Sequence, residues 1–123
     1  MNKNIIWLLG IVIAFCFSSC YYDVEDELYP SSGACDTLNI TYSQTIAPLI
    51  NSNCNSCHSA SSAQGNVVLD TYAALKTYAD NGKLLGVINH SSGYSPMPKN
   101  QSKLSTCNIS KITIWINQGT PNN

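Results

Sequence analysis

The stretch Cys54-Asn55-Ser56-Cys57-His58 decides how this chain is interpreted. Two thiols three positions apart, followed at once by a histidine, form the C-x-x-C-H pattern that attaches a c-type haem. Each thiol can add across one vinyl group of the haem. The histidine then lies beneath the iron and supplies one axial bond. We therefore predict a covalently attached haem at Cys54, Cys57 and His58.

Other interpretations of the motif compete with haem attachment: a thioredoxin-like dithiol, half of a zinc site, or a structural pair. A zinc site needs four ligands, and the sequence has no second C-x-x-C or H-x-H pair. A thioredoxin-like dithiol belongs to a βαβ unit, and no such unit is predicted from the sequence. A thiol oxidoreductase that uses Cys54 and Cys57 remains the alternative without haem.

The first residues have the form of a targeting segment. One positive charge precedes an apolar run over residues 5–17, which is too short for a comfortable permanent membrane span. Ser18-Ser19-Cys20 resembles the lipobox of a bacterial lipoprotein, where cleavage leaves the cysteine as the first, lipid-bearing residue. We expect a lipoprotein signal over 1–19. An ordinary secretory signal is the alternative, and both take the chain out of the cytoplasm.

Residues 20–34 are predicted to form a flexible acidic tether. They combine four acidic residues with Pro, Ser and Gly, and their apolar content is too low for independent folding. The tether would hold a domain over residues 35–123 away from a membrane anchored through the lipid on Cys20. The expected location is the cell envelope, facing the periplasm or at the outer membrane.

The sequence has six cysteines. Cys16 lies in the signal, Cys20 is expected to carry lipid, and Cys54 and Cys57 are expected to bind haem, which leaves Cys35 and Cys107. An even pair in an oxidising compartment predicts a disulfide. It would join the two ends of the domain and contribute up to about 4 kcal/mol by the loop-entropy relation. Two free, buried thiols are the alternative.

Size and charge exclude some classes of function. A domain of this length is short for a self-sufficient core, and a buried haem would add apolar surface to pack around. From Cys35 onward there are five lysines, three aspartates and no arginine. This balance is too weak for nucleic-acid binding.

The pattern of apolar residues predicts a small all-α domain. A first helix is expected over residues 41–53, with Ser43 as its N-cap and Pro48 near its first turn. A second is expected over 71–80, with Asp70 as its N-cap and Asn81-Gly82 as its end, and a third over 83–89. Residues 90–103 are expected to be irregular.

The last helix has the clearest signals. Ser105 is its expected N-cap, and Leu104 and Ile109 can form a hydrophobic staple around it. Its expected buried stripe and stop signals are Ile109, Ile112, Trp115 and Ile116, followed by Gly119 and Pro121.

Met97 is the candidate sixth ligand of the iron. Met1 would be lost with the signal, so Met97 is the only thioether available. Pro96 and Pro98 exclude helix around it and give a stiff segment that can aim its sulfur. An ordinary loop methionine is the alternative. His90 is the rival ligand, although a histidine after a helix end is often only exposed or a C-terminal cap.

These motifs together resemble a class I monohaem cytochrome c. The resemblance rests on C-x-x-C-H after an amphipathic helix, a methionine between prolines, and Ile112-x-x-Trp115-Ile116 in the last helix. With the lipoprotein start, it is closest to the small cytochrome c-like lipoproteins of Bacteroidetes. The usual glycine and aromatic pair of the first helix is not evident. Tyr42 and Ile46 are expected to meet Trp115 and Ile116 instead.

The resemblance implies a membrane-tethered electron carrier, not an enzyme, with one haem c per chain and redox proteins as donor and acceptor. Methionine ligation raises the reduction potential relative to two histidines. Lys99 and Lys103 flank Met97 and would guide an acidic partner, unless they are ordinary solvated lysines. A haem-based ligand sensor or a small haem enzyme with a labile Met97 is the alternative.

Overall fold

A computed structural model describes residues 35–123, which are helical and contain no β-strand. This confirms the all-α class. The predicted signal over 1–19, Cys20 and the tether up to residue 34 lie outside the described residues. Within the described part, no helix has both the length and the apolar character needed to cross a bilayer. The helices are α1 (Ala47–Asn53), α2 (Asn55–His58), α3 (Tyr72–Asp80), α4 (Lys83–Ile88) and α5 (Thr106–Asn117).

The first predicted helix is present, but it begins with a π-helical turn, Tyr42–Ile46, that leads directly into α1. Its N-cap is Thr41, whose Oγ1 accepts from the Gln44 N–H at 3.3 Å. The prediction of Ser43 was therefore wrong by two positions. Pro48 lies in the first turn of α1, directly after the π-helical turn, so its missing N–H falls at the junction of the two helical segments.

The cap predicted for α3 is also displaced. Thr71, not Asp70, is the N-cap, and its Oγ1 accepts from the Ala74 N–H at 3.3 Å. The Asp70 carboxylate instead accepts from the Ala60 N–H at 2.7 Å and closes the loop after α2. Gly82, with φ of +76°, separates α3 from α4 as the sequence predicts.

The ends of α5 agree with the sequence. Ser105 caps it by accepting from the Asn108 N–H at 3.2 Å. Gly119, with φ of +87°, follows its last turn in the left-handed conformation that favours glycine. Ile112 and Trp115 have 0 % of their surface exposed and form the buried stripe, whereas Ile109 and Ile116 are only partly buried.

Aromatic packing joins the start of the domain to α5. The Tyr42 ring lies 5.9 Å from the Trp115 ring and meets Tyr72 edge-on at 5.0 Å. The expected contact between Tyr42 and Trp115 is therefore present. The buried apolar core consists of Ile40, Ile46, Leu49, Ile50, Leu69, Leu75, Ala79, Leu84, Ile88, Ile112 and Trp115.

The last five residues, 119–123, form a closing segment that binds back onto the helices. The Tyr72 hydroxyl donates to the Thr120 carbonyl at 2.8 Å, and Trp115 Nε1 donates to the Pro121 carbonyl at 2.9 Å. Thr120 is 1 % exposed. Two aromatic side chains of the core thus have their polar atoms satisfied by this segment.

The closing segment also caps the first helix. The Tyr42 N–H donates to Asn123 Oδ1 at 2.8 Å, and the Ser43 N–H donates to the Asn123 carbonyl at 2.9 Å. The opening N–H groups of a helix have no intrahelical partner. Asn123 therefore supplies from far along the chain what a local cap supplies elsewhere.

Cys35 and Cys107 form a disulfide, with the sulfur atoms 2.04 Å apart. The bond joins the start of the described chain to the first turn of α5, across a sequence separation of 72 residues. This agrees with the pairing predicted from the cysteine count.

Candidate functional site

The attachment turn, residues 54–58, is built at a break between α1 and α2. Cys54 ends α1 and starts α2, with φ of −124° and ψ of −41° that interrupt the helix. Its carbonyl accepts from the N–H groups of Cys57 at 3.1 Å and His58 at 2.9 Å. All three side chains are half-buried. The three predicted attachment residues therefore share one helical turn, and positions three and four apart lie on one side of it.

The two sulfurs of the attachment turn are not bonded to each other. Burial raises the pKa of the Cys54 thiol to about 11. Reactive dithiols need the opposite, because the thiolate is the nucleophile and a lowered pKa supplies it. The environment of Cys54 thus does not favour the thiol-oxidoreductase alternative.

The His58 ring has one buried and one available nitrogen. Nδ1 is buried and has no hydrogen-bond partner. Nε2 makes no hydrogen bond to another described residue and, unlike Nδ1, is not fully buried. A neutral imidazole binds a metal through an unprotonated ring nitrogen. Nε2 of His58 is therefore free to be an axial ligand, as the haem interpretation requires.

The chain beyond α2 holds the end of the attachment turn in place. The Leu69 N–H donates to the His58 carbonyl at 2.7 Å. With the Ala60–Asp70 bond, this closes the loop over residues 59–68 at its base. Two hydrogen bonds and the buried side chain of Leu69 thus fix the backbone that carries His58.

The described residues contain no group of three or more His, Cys, Asp or Glu side chains placed to hold one metal ion. Cys54, Cys57 and His58 therefore share a turn without converging on a single point. A structural zinc site needs convergent ligands. Haem attachment does not, because each thiol bonds a different edge of the group and only the histidine reaches the iron.

Met97 lies in the loop between α4 and α5 and is half-buried. Its N–H donates to the Val87 carbonyl at 3.0 Å, and its carbonyl lies 3.0 Å from His90 Nε2. The backbone of Met97 is therefore held by the end of α4, not by the attachment turn. Its role as the sixth ligand remains a prediction.

His90, the rival ligand, is exposed and has a left-handed backbone with φ of +54°. A carbonyl oxygen only accepts hydrogen bonds, so the Nε2–H group of His90 donates the hydrogen bond to the Met97 carbonyl. In this arrangement Nε2 of His90 is protonated and engaged with Met97, so it cannot also bind iron.

The sequence also predicts a flat, apolar slot for the haem between His58 and Met97, lined by Leu69, Tyr72, Leu84, Leu85, Ile88 and Trp115, and a cavity found among the described residues lies elsewhere. Leu69, Leu84, Ile88 and Trp115, expected to line the slot with Tyr72 and Leu85, are buried members of the core. Their apolar side chains pack together because this removes them from water. The cavity, of about 440 Å³, lies along α5 and is lined by Thr37, Asn89, Lys103, Leu104, Thr106, Ile109, Ser110, Thr113 and Ile114.

Charge is distributed unevenly over the domain. Residues 81–123 contain four lysines and no acidic residue. Lys99 and Lys103 are exposed in the same loop as Met97. The one salt bridge among the described residues joins Lys76 to Asp80 within α3, at 2.8 Å.

One contact at the Met97 loop has no signal in the sequence. The Tyr94 ring lies directly over Gly86 in α4, where a Cβ atom would come within 2.6 Å of three ring carbons. Only glycine fits beneath the ring. Neither residue follows a local pattern, so only the tertiary structure identifies the contact.

Comparison with models of known protein families, with curated proteins and with solved structures finds no match for this chain. The resemblance to cytochromes c therefore rests on the sequence motifs alone.

Proposed function

We propose that the protein is a c-type cytochrome that carries single electrons between redox proteins. Cys54 and Cys57 would bond the haem covalently, and His58 and Met97 would bind its iron. The attachment turn is the observation that carries this proposal. It combines two unbonded thiols and a histidine with a free Nε2 on one helical turn.

The chain's own residues have separable tasks in this proposal. Cys54 and Cys57 would anchor the group from the same side of one helical turn, and His58 would bind its iron through Nε2. When bound, the haem supplies reversible one-electron exchange, with a potential set by its axial ligands and surroundings. Met97 would supply a second ligand to the iron, and an iron with both protein ligands bound would favour electron transfer over binding of a substrate.

Two features weigh against the sensor or enzyme alternative. The chain has no arginine, so that frequent partner in peroxide chemistry is missing. His90 donates its ring proton to the Met97 carbonyl, and is thereby engaged in holding the loop. Outer-sphere electron transfer needs neither an acid nor a base at the iron.

The proposed partners are a redox donor and an acceptor with acidic surfaces. Support comes from exposed Lys99 and Lys103 beside Met97 and from the absence of acidic residues over 81–123. Opposite charges speed association most at low ionic strength. Replacing both lysines with glutamine should slow electron transfer to an acidic partner at low salt and have little effect at high salt.

Anchoring through lipid on Cys20 is a further part of the proposal. Its support is the sequence alone. Cys20→Ala should leave a soluble or unprocessed protein in cell fractionation. Membrane association of a cleaved Cys20→Ala chain would contradict the lipoprotein interpretation.

Spectroscopy of the protein made with the haem-attachment machinery tests the electron-carrier function. We expect reversible one-electron oxidation and a sulfur-to-iron charge-transfer band in the oxidised form. The reduced form should not bind CO readily. Met97→Ala should lose the band, lower the potential and bind CO.

Ser95→Ala, in the same exposed loop, is the matched control and should leave band, potential and CO binding unchanged. If the wild type binds CO readily and Met97→Ala changes neither spectrum nor potential, Met97 is not a ligand. The carrier proposal would then give way to the ligand sensor or small haem enzyme.

A further inference from the structure

Both backbone polar groups of Met97 are hydrogen-bonded, although most of the loop around it is exposed. Its N–H donates to the Val87 carbonyl at 3.0 Å. Its carbonyl receives the Nε2 proton of His90 at 3.0 Å. The same Val87 carbonyl accepts from the His90 N–H at 3.2 Å. One carbonyl at the end of α4 therefore fixes both ends of the loop from His90 to Met97.

The rest of the loop is packed onto α4 by separate contacts. The Ser91 N–H donates to the Gly86 carbonyl at 3.0 Å. The Tyr94 ring lies against Gly86 closely enough to exclude any Cβ there. These contacts position the middle of the loop. They leave the Met97 carbonyl dependent on His90 alone.

We propose that His90 is a positioning residue for the sixth ligand: its Nε2–H holds the Met97 carbonyl and so aims the Met97 sulfur. This inference rests on the proposed function. It assigns the two residues different tasks, because a ring nitrogen that donates to a carbonyl cannot bind iron at the same time. His90 would support the methionine instead of competing with it.

The backbone conformation of His90 makes a clean test possible. Its φ of +54° lies in the left-handed region, which asparagine adopts more readily than most residues. His90→Asn therefore keeps the backbone but shortens the side chain, so that its amide does not reach where Nε2 was. His90→Gln restores the reach and an N–H donor. Ser91→Ala is the matched control at the adjacent exposed position.

The experiment compares these variants as holoproteins by haem content, by the sulfur-to-iron band and by CO binding to the reduced form. Losing the hydrogen bond between His90 and the Met97 carbonyl should raise the fraction of molecules in which Met97 is detached from the iron about fivefold. We expect His90→Asn to have a weaker band and correspondingly faster CO binding. His90→Gln should recover the wild-type behaviour, and Ser91→Ala should not differ from it. Covalent haem content should be the same in all.

Different results separate this inference from the proposed function. If the wild type has the band and His90→Asn leaves band and CO binding unchanged, His90 does not position Met97 and the carrier proposal stands. If the wild type lacks the band and the reduced His90→Asn variant binds CO when the wild type does not, His90 is itself the ligand and the inference fails. If the wild type carries no covalent haem, both the carrier proposal and this inference fail.

A second measurement covers the case in which His90→Asn does not fold. In ¹⁵N-labelled wild-type holoprotein, the reduced and diamagnetic form should show His90 protonated at Nε2. Neutral His90 protonated only at Nδ1 would overturn the inference, because Nε2 would then have no proton to donate.

Discussion

The two cysteine pairs of the domain lie in regions that use them differently. Cys35 and Cys107 are bonded and join parts of the chain 72 residues apart. Cys54 and Cys57 are three residues apart on one helical turn and are not bonded. By the loop-entropy relation, a bridge across the short separation would stabilise the fold less than half as much as the long one. The first pair is suited to stabilising the scaffold, and the second to chemistry.

Polar groups are also satisfied differently in the scaffold and in the attachment turn. Beyond the C-terminal end of α5, the closing segment satisfies the polar atoms of Tyr72 and Trp115. In the attachment turn, His58 Nδ1 is buried without a partner. Buried polar atoms are nearly always paired. In the proposed function Nε2 binds the iron and Nδ1 keeps the ring proton, so the attachment turn leaves one buried N–H group without an acceptor among the described residues.

The largest expected effect is the loss of haem when the pair in the attachment turn is removed. Replacing Cys54 and Cys57 with serine should abolish haem staining on a denaturing gel, because both covalent anchors are lost. The matched control replaces Cys35 and Cys107 with serine. That variant should still stain, although its yield is lower. Staining of the first variant, or its loss only in the second, would reverse the roles assigned to the two pairs.

The next largest effect is on stability. Replacing Cys35 and Cys107 with serine should lower the free energy of unfolding by about 4 kcal/mol, because the unfolded chain regains the freedom that the long loop removes. Guanidinium unfolding of the holoprotein measures the difference. An unchanged midpoint would mean that the disulfide does not stabilise the fold.

A smaller effect is expected where the closing segment meets α3. Tyr72→Phe removes the hydroxyl that donates to the Thr120 carbonyl and should lower the free energy of unfolding by about 1 kcal/mol. Tyr78→Phe is the control, since Tyr78 lies on the same helix, is also half-buried and makes no side-chain hydrogen bond to a described residue. Equal losses in both variants would show that the Tyr72 bond contributes nothing specific.

The smallest effect concerns pH. The hydrogen bond from Lys76, and a weaker one from Thr120, lower the pKa of the Asp80 carboxyl despite opposing desolvation. A lowered pKa stabilises the fold above the ordinary value, and the contribution is lost as the pH falls through the folded-state value. Asp80→Asn should therefore make stability less dependent on pH in the acid range. The measurement is the unfolding midpoint from neutral pH to about pH 3, where an unperturbed carboxyl protonates.

Much of the fold could be predicted because its signals are local. Helical spacing and stop residues located the first helix, α3, α4 and α5 to within a residue or two, whereas α2 was not predicted as a helix. Ser105 was identified correctly as a cap. The caps Thr41 and Thr71 were missed. Each lies within two residues of another good capping residue, and tertiary partners decide between them. Asp70, for example, is taken by the Ala60 N–H.

Contacts over long sequence separations left no pattern to detect. Asn123 caps the first helix from 81 residues away, and no spacing rule connects it to Tyr42. Two contacts between residues closer in sequence, the Tyr94 ring over Gly86 and the hydrogen bond from His90 to the Met97 carbonyl, also follow no spacing rule. At the candidate site, the sequence identified the residues of the attachment turn. It could not identify what holds Met97 in place.

Peptide mapping of wild-type protein, made with the haem-attachment machinery, tests the central claim most directly. The protein is denatured, extracted with acid acetone, reduced and alkylated before digestion. We predict that the peptide containing residues 54–58 carries one haem on Cys54 and Cys57 and no alkyl group. Cys35 and Cys107 should be alkylated only after reduction. A peptide in which Cys54 and Cys57 are alkylated and haem is absent would contradict the account.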